Sequence, residues 1–401
     1  MKVLQLSLVL SLVYSFSFAS DKIIELDSYI SENKTDIFNY DYKKNQEESL
    51  ILRDSWINPI NINYSYSKSN PYQKVQLAQN AAIKVDQPIF KGGGIIYGVK
   101  FANASKKYSD YSVSIAKRKM IKDAISILMQ IRQVDLKIEK QKLQIENAKI
   151  NLELKKEQYL SGQLDSGFLD NAVIERNNVI QVLYDIQTSK EGLISSFRTI
   201  SDLDYLVAKI PTLKLLSQEE FLEYNLGVEQ LRSQVQRDKE NKGVIRAKYL
   251  PTISVTGGYN WSKTDSQFNF GSKEKDYYDY GVKASMPLSI NTFRDIESAK
   301  INYLKSEVQE IDKKREQKSL FEKVMQSLDN LDKKQALSVE NMEIYEKLLS
   351  DTRELYRVGY KTEYDVQTLE NSLNISSLNS KIYEMDKQLE LLNLYEMYAG
   401  E

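Results

Sequence analysis

The 401-residue chain has no cysteine and no histidine. Without thiol or imidazole it cannot form the nucleophilic dyads and triads that use them, and it lacks the usual ligands of zinc and iron sites. Enzymatic readings shrink to carboxylate, lysine, serine or tyrosine chemistry. The missing cysteine also excludes disulfides and a lipid-anchored cysteine at a mature N-terminus. An excess of one charge sign is lacking too: 55 basic residues stand against 56 acidic ones, which gives no nucleic-acid footprint and no acidic tail. Past the N-terminus no segment is apolar enough for a spanning helix, so a membrane role has to be built from strands.

What is present begins with "MKVLQLSLVLSLVYSFSFASD". Lys2, an apolar run from Val3 to about Phe16 and the small-x-small site Ser17-Phe18-Ala19 predict a secretory signal peptide over 1–19, cleaved after Ala19. The run falls short of the roughly 20 apolar residues a membrane anchor needs.

Heptad stepping from Ile127 gives Ile131, Val134, Ile138, Gln141, Ile145, Ala148, Leu152, Lys155 and Tyr159, a coiled-coil seam. The same stepping from Val324 gives Leu328, Leu331, Gln335, Ser338, Met342, Tyr345, Leu349, Thr352 and Tyr356. Each position lies 197 residues after its counterpart, and so does Gly359 after Gly162. The chain therefore reads as an internal duplication, with a first repeat over 20–210 and a second over 211–401. Two extra residues after the first glycine would set Asp170 against Asp365.

Upstream, "LILRDSWINPINI" from Leu50 resembles "GVIRAKYLPTISV" from Gly243, and both then change from helical period to period two. Ile60, Ile62, Tyr64 and Tyr66 alternate with Asn61, Asn63, Ser65 and Ser67; Ile253, Val255, Tyr259 and Trp261 alternate with Ser254, Thr256 and Asn260. Such segments are strands with one apolar and one polar face. Returning strands follow, and Pro88 and Pro287 are expected to end them. The expected strands are about 58–69, 75–87, 251–262 and 277–287; the expected helices are about 97–160, 166–200, 292–357 and 364–398.

At 1.5 Å per residue the two long helices would measure roughly 90 to 100 Å, too long for an ordinary globular core. The strands have the length and alternation of a membrane-barrel wall, with tyrosine and tryptophan placed for interfacial girdles. Four strands cannot close a barrel, so chains must combine. A periplasmic or surface coiled-coil tether is the competing reading; it accounts for the heptads but not for the two-faced strands. "KGGGIIYG" from Lys91 lacks the Lys-Ser/Thr of a phosphate loop and is expected to be a flexible turn. "SDLDYLVAKIPTLKLLS" from Ser201 breaks the helical period and predicts an irregular belt midway along the helices. Asp202 and Asp204 could pair for glycoside chemistry, but nothing around them suggests a cleft.

The duplicated plan, "AKYLPTISVTGGY" from Ala247 and "YRVGYKTEYDVQTLENSL" from Tyr356 together resemble the TolC-like outer-membrane efflux protein family over about residues 23–398. The resemblance implies an α+β membrane protein built on a duplicated helix, β-hairpin, long helix, helix plan. It implies a homotrimer with a 12-stranded β-barrel in outer-membrane lipid, continued by a long α-helical coiled-coil tunnel. It further implies a non-enzymatic, passive duct without cofactor or metal, serving efflux or type I secretion. The partners implied are a periplasmic adaptor (membrane fusion) protein and an inner-membrane pump of the RND or ABC type.

In this family the helix turns close the tunnel at its periplasmic tip. Carried over by position, Tyr356 is the gate tyrosine, Lys361 the basic residue of its network, Asp365 the constriction carboxylate and Asp170 the first-repeat carboxylate. Thr368 stands where the best-studied member of the family has a second acidic ring, so cation binding at the mouth should be weaker. Tyr159, Gly162 and Gly359 mark the tips for adaptor docking. A plainer account needs no gate: Tyr356 as the last heptad residue, Gly359 as a left-handed helix stop, and Lys361 and Asp365 as solvated turn charges.

Overall fold

The computed structural model describes residues 26–70, 75–266 and 271–400. The signal-peptide expectation over 1–19 lies outside these residues, as do the centres of both strand hairpins. Among the described residues, no helix is long and apolar enough to cross a membrane.

Helix α1 (Glu32–Asp54) leads to strands β1 (Asn61–Ser69) and β2 (Gln76–Lys91), then to α2 (Gly94–Leu160) and α3 (Ser166–Ile200). After the irregular stretch 201–217 come the short α4 (Gln218–Glu223) and α5 (Leu226–Lys248). Strands β3 (Thr252–Ser266) and β4 (Gly271–Ser285) precede α6 (Thr292–Arg357) and α7 (Glu363–Tyr395). Helix α1 and helix α5 each have 23 residues, while α2 and α6 have 67 and 66. The last two are each about 100 Å long at the standard rise.

The four strands form one antiparallel sheet in the order β1-β2-β3-β4, so β2 and β3 join the two hairpins. Strand β4 starts six residues before the expected 277, because the charged stretch 272–276 pairs with the end of β3. Pro88 does not end β2. It sits at a register shift between Pro88 and Phe90, beyond the last β1 pair at Asn61 and Lys84. There no β1 acceptor needs its missing N–H, and proline is tolerated at a bulge.

The "KGGG" turn is tight rather than flexible. Gly92 and Gly93 have φ of 53° and 83°, and a Cβ on Gly92 would lie 2.4 Å from the Cβ of Leu250. Glycine alone satisfies both the left-handed backbone and the close approach.

The helices form a bundle in which α2 is central. Above its middle α2 packs between α1 and α5; below, it packs between α3 and α7. Where these meet, Ile121, Ile125, Leu128, Met129 and Ile131 of α2 are buried with Phe38, Ile194, Phe197 and Leu392. The belt 201–217 closes this core with Leu203, Tyr205, Ile210 and Leu213. Its backbone polar groups are held by side chains: Tyr29 and Tyr395 donate to the carbonyls of Lys209 and Lys214 at 2.7 and 3.0 Å, and Gln388 accepts from the Leu213 N–H at 2.8 Å. A second cluster, with Phe221, Phe321, Val324 and Leu394, pins α4 against α6 and α7.

Candidate functional site

The two helix-turn tips share one backbone solution. At the end of α2, Gly162 (φ 73°) donates to the Tyr159 carbonyl and Gln163 donates to that of Gln158, at 3.0 and 2.8 Å. At the end of α6, Gly359 (φ 85°) donates to Tyr356 and Tyr360 to Leu355, at 3.0 and 2.9 Å. Both are Schellman stops, in which a left-handed residue lets the last carbonyls find partners. Tyr159 and Tyr356 are each the second-last residue of their helix, and both are partly exposed.

Three residues past each glycine the next helix is capped. Asp165 accepts from the Gly167 N–H at 2.8 Å. Thr362 accepts from the Asp365 N–H at 3.2 Å, while Asp365 accepts from the Thr362 N–H and hydroxyl at 2.9 Å each, a reciprocal capping box. The caps Asp165 and Thr362 are themselves 197 residues apart. The expected two-residue offset therefore does not fall between glycine and cap. By distance from the cap, Phe168 rather than Asp170 is the counterpart of Asp365, and Asp170 is exposed further into α3.

Lys361 Nζ lies 3.5 Å from Asp365. The Thr362 backbone N–H holds the Asp365 carboxyl below its ordinary value; partial desolvation opposes this, and the Thr362 hydroxyl and Lys361 add to it. Thr368 donates its hydroxyl to the Tyr364 carbonyl at 2.8 Å, within its own helix. Among the described residues, no hydrogen bond or ion pair joins Tyr356 or Asp170 to Lys361 or Asp365. Within one chain, then, Lys361, Asp365 and Thr368 are brought together at one tip, and Asp170 is not brought to them. Two contacts escaped the sequence analysis. The capping Thr362 was legible as the T-x-x-D pattern before an apolar helix; the Arg353–Glu370 ion pair, which crosses from α6 to α7, was not legible from local spacing.

The sheet separates two chemistries. Cross-strand register aligns Ile62, Ile83, Tyr259 and Tyr278 in one row, and Val85, Gly257 and Tyr280 in the next. On the other face Asn63, Ala82, Asn260 and Tyr277 share a row, as do Ser65, Asn80, Ser262 and Lys275. The apolar face is bare: Ile62 is 75% exposed and Tyr280 85%. Toward the hairpin tips it turns polar, where the Trp261 indole donates to Glu274 at 2.7 Å. From Ile253 to Trp261 the apolar stretch rises about 27 Å along the strand, close to the roughly 25 Å apolar band of a membrane barrel.

Both layers of the molecule stop at open edges. Among the described residues, strands β1 and β4 each have one strand neighbour, α1 and α3 pack mainly on α2, and α6 packs mainly on α4, α5 and α7. Along α6, Ile301, Leu304, Val308 and Ile311 repeat at spacings of three and four and remain uncovered, Ile301 at 56% and Val308 at 65%. On α1, Ile37, Tyr40 and Ile51 are similarly bare.

A two-faced sheet is thus carried on helices about 100 Å long. Residues 218–399 match the model of the outer membrane efflux protein family. The whole chain has the fold of solved outer-membrane channels. It superimposes on the Campylobacter jejuni CmeC outer membrane channel with a TM-score of 0.72 at 14% identity, covering 95% of this chain and 86% of that one. The outer membrane protein VceC of Vibrio cholerae gives 0.72 at 15% identity, covering 94% and 96%. The open state of the Neisseria gonorrhoeae MtrE outer membrane channel gives 0.62 at 13%, covering 94% and 87%. No curated protein sequence matches the chain.

Proposed function

We propose that this chain is the outer-membrane channel of a tripartite efflux or type I secretion system, a non-enzymatic duct reaching from the outer membrane into the periplasm. Three copies close a 12-stranded barrel, and their helices continue it as a tunnel. The repeats 20–210 and 211–401 each supply one hairpin and a pair of coils to that wall. A periplasmic adaptor docks at the helix tips around Tyr159, Gly162 and Gly359, and an RND or ABC pump in the inner membrane provides the energy.

One observation carries the assembly: the sheet and the bundle are open at the same two sides. Strand β1, α1 and α3 form one side, and β4 and α6 the other. An unpaired strand edge leaves backbone N–H and C=O groups without partners in lipid, each costing several kcal/mol. Pairing β4 of one copy with β1 of the next removes both edges at once, and the same rotation brings the bare stripe of α6 toward α1. A secreted tether would leave the apolar sheet face in water.

The gate reading assigns Tyr356, Lys361, Asp365, Thr368 and Asp170 to contacts between neighbouring coils, where an adaptor opens the tip by binding the open state better than the closed one. Lys361 is exposed and Asp365 half-buried, so their pair is individually weak and suited to release. Two measurements test this function. The protein must partition with outer membranes and require detergent for extraction; recovery from the soluble periplasmic fraction contradicts the duct. Single-channel conductance in planar bilayers should rise in Tyr356→Phe with Asp170→Ala, and an unchanged conductance removes those residues from the gate.

A further inference from the structure

Charge on the sheet is sorted by face. The polar face carries Lys84, Lys273, Lys275 and Lys283 against Asp86 and Asp279, and Lys91 at the foot of β2 shares their parity. Contacts support the assignment: Lys283 lies 3.5 Å from Asp86 across β2 and β4, and Asn260 donates to Asp279 at 2.9 Å. Gly258 makes room for the latter carboxylate, since a Cβ there would lie 2.8 Å from its Oδ1. In "KEKD", Lys273 and Lys275 take the polar face while Glu274 and Asp276 take the apolar face near its rim. Four lysines against two aspartates leave an excess of two positive charges per chain on the polar face, without counting Lys91.

We infer that the barrel lumen is an anion-selective conduit, in which Lys84, Lys273 and Lys275 favour negatively charged solutes. This rests on the duct reading, which turns the polar faces of three sheets inward. Twelve tilted strands at about 4.8 Å spacing enclose a backbone radius on the order of 12 Å. The Debye length is about 10 Å at 0.1 M salt, so the field of the wall lysines reaches most of the lumen. A cleft lined by one sign of charge raises the local concentration of the opposite ion. At 1 M salt the length falls to about 3 Å and the preference should fade.

The test is the reversal potential of the purified channel in planar bilayers under a KCl gradient at or below about 0.1 M. Chloride should permeate better than potassium, and Lys84→Gln with Lys275→Gln should at least halve the ratio of chloride to potassium permeability. Lys68→Gln with Lys263→Gln, on the apolar face near the tips, is the fold-matched control and should leave the ratio unchanged. Pores that favour potassium, a ratio insensitive to the lumen pair, or an equal response in the control each overturn the inference alone. A protein that forms no pore overturns the duct reading, and this inference with it.

Discussion

Helices α2 and α6 carry the same heptad register 197 residues apart, yet the fold buries them differently. Along α6 one seam is covered: Val324, Ser338, Leu349 and Thr352 are buried, with Leu328, Leu331, Gln335, Met342 and Tyr345 half-buried between them. Along α2 the equivalent seam is covered and so is a second side, so that Ala124, Leu128, Met129 and Ile131 lose almost all contact with solvent. The polar seam positions show that register, not composition, is shared. Gln141 and its counterpart Ser338 are both buried, and Gln141 is satisfied by the Val179 carbonyl at 2.8 Å. Both helices were written for two neighbours. Helix α2 finds its second within the chain, and under the proposed assembly α6 finds it in another copy.

The largest effect that could break this comparison is at the bare stripe. Ile301→Lys with Val308→Lys places two charges where a neighbour's apolar side chains should pack, each site forfeiting about 1.5–3 kcal/mol of burial at every interface. The oligomer should fall apart in detergent while the far-ultraviolet circular dichroism of the chain is kept, as read by sedimentation. A core substitution should do the reverse. Leu128→Ala, fully buried in α2, should cost about 2–5 kcal/mol in urea unfolding, whereas Leu348→Ala on the exposed face of α6 should stay within about 0.5 kcal/mol for the monomer.

The tips give smaller effects. Thr362→Ala removes the cap of α7 and should cost about 1 kcal/mol, seen as faster amide exchange in the first turn of that helix and not in α3. The smallest effect is in pH. Because the folded Asp365 carboxyl is lowered, its stabilisation is complete above the unfolded value near 3.9 and is lost as pH falls through the folded value. Exchange in that turn should rise only below about pH 4. Asp365→Asn should show the raised exchange at neutral pH and no acid step.

Period and punctuation carried most of the fold. The seams, the Gly-x-x-cap tips and the alternation of the strands are local patterns with a fixed physical meaning, and Gln141 and Ser338 sit buried where the stepping places them, while Tyr356 at the end of the seam is exposed. What escaped was non-local. Pro88 marks a strand end by propensity, but the bulge that tolerates it depends on β1 ending its pairing at Lys84. The offset assigned to Asp170 came from matching one acidic residue to another across the turn. The caps Asp165 and Thr362, whose side chains bond their own helix starts, fix the correspondence instead. The proposed gate was least legible, since a contact between neighbouring coils would leave no spacing within one chain.

The central claim, that the α6 edge of one copy meets the α1 edge of the next, can be tested on a chain that has no cysteine of its own. Ser49 bonds the Ala102 carbonyl, Tyr97 packs on Gly243, and Lys242 sits over the Tyr303 ring, which places Ile51 and Ile301 within about one helical turn of each other in height on opposite edges. The measurement is oxidative cross-linking of Ile51→Cys with Ile301→Cys in outer membranes. The account predicts disulfide-linked products that end at three chains, and none from either substitution alone; a double variant that stays monomeric contradicts it.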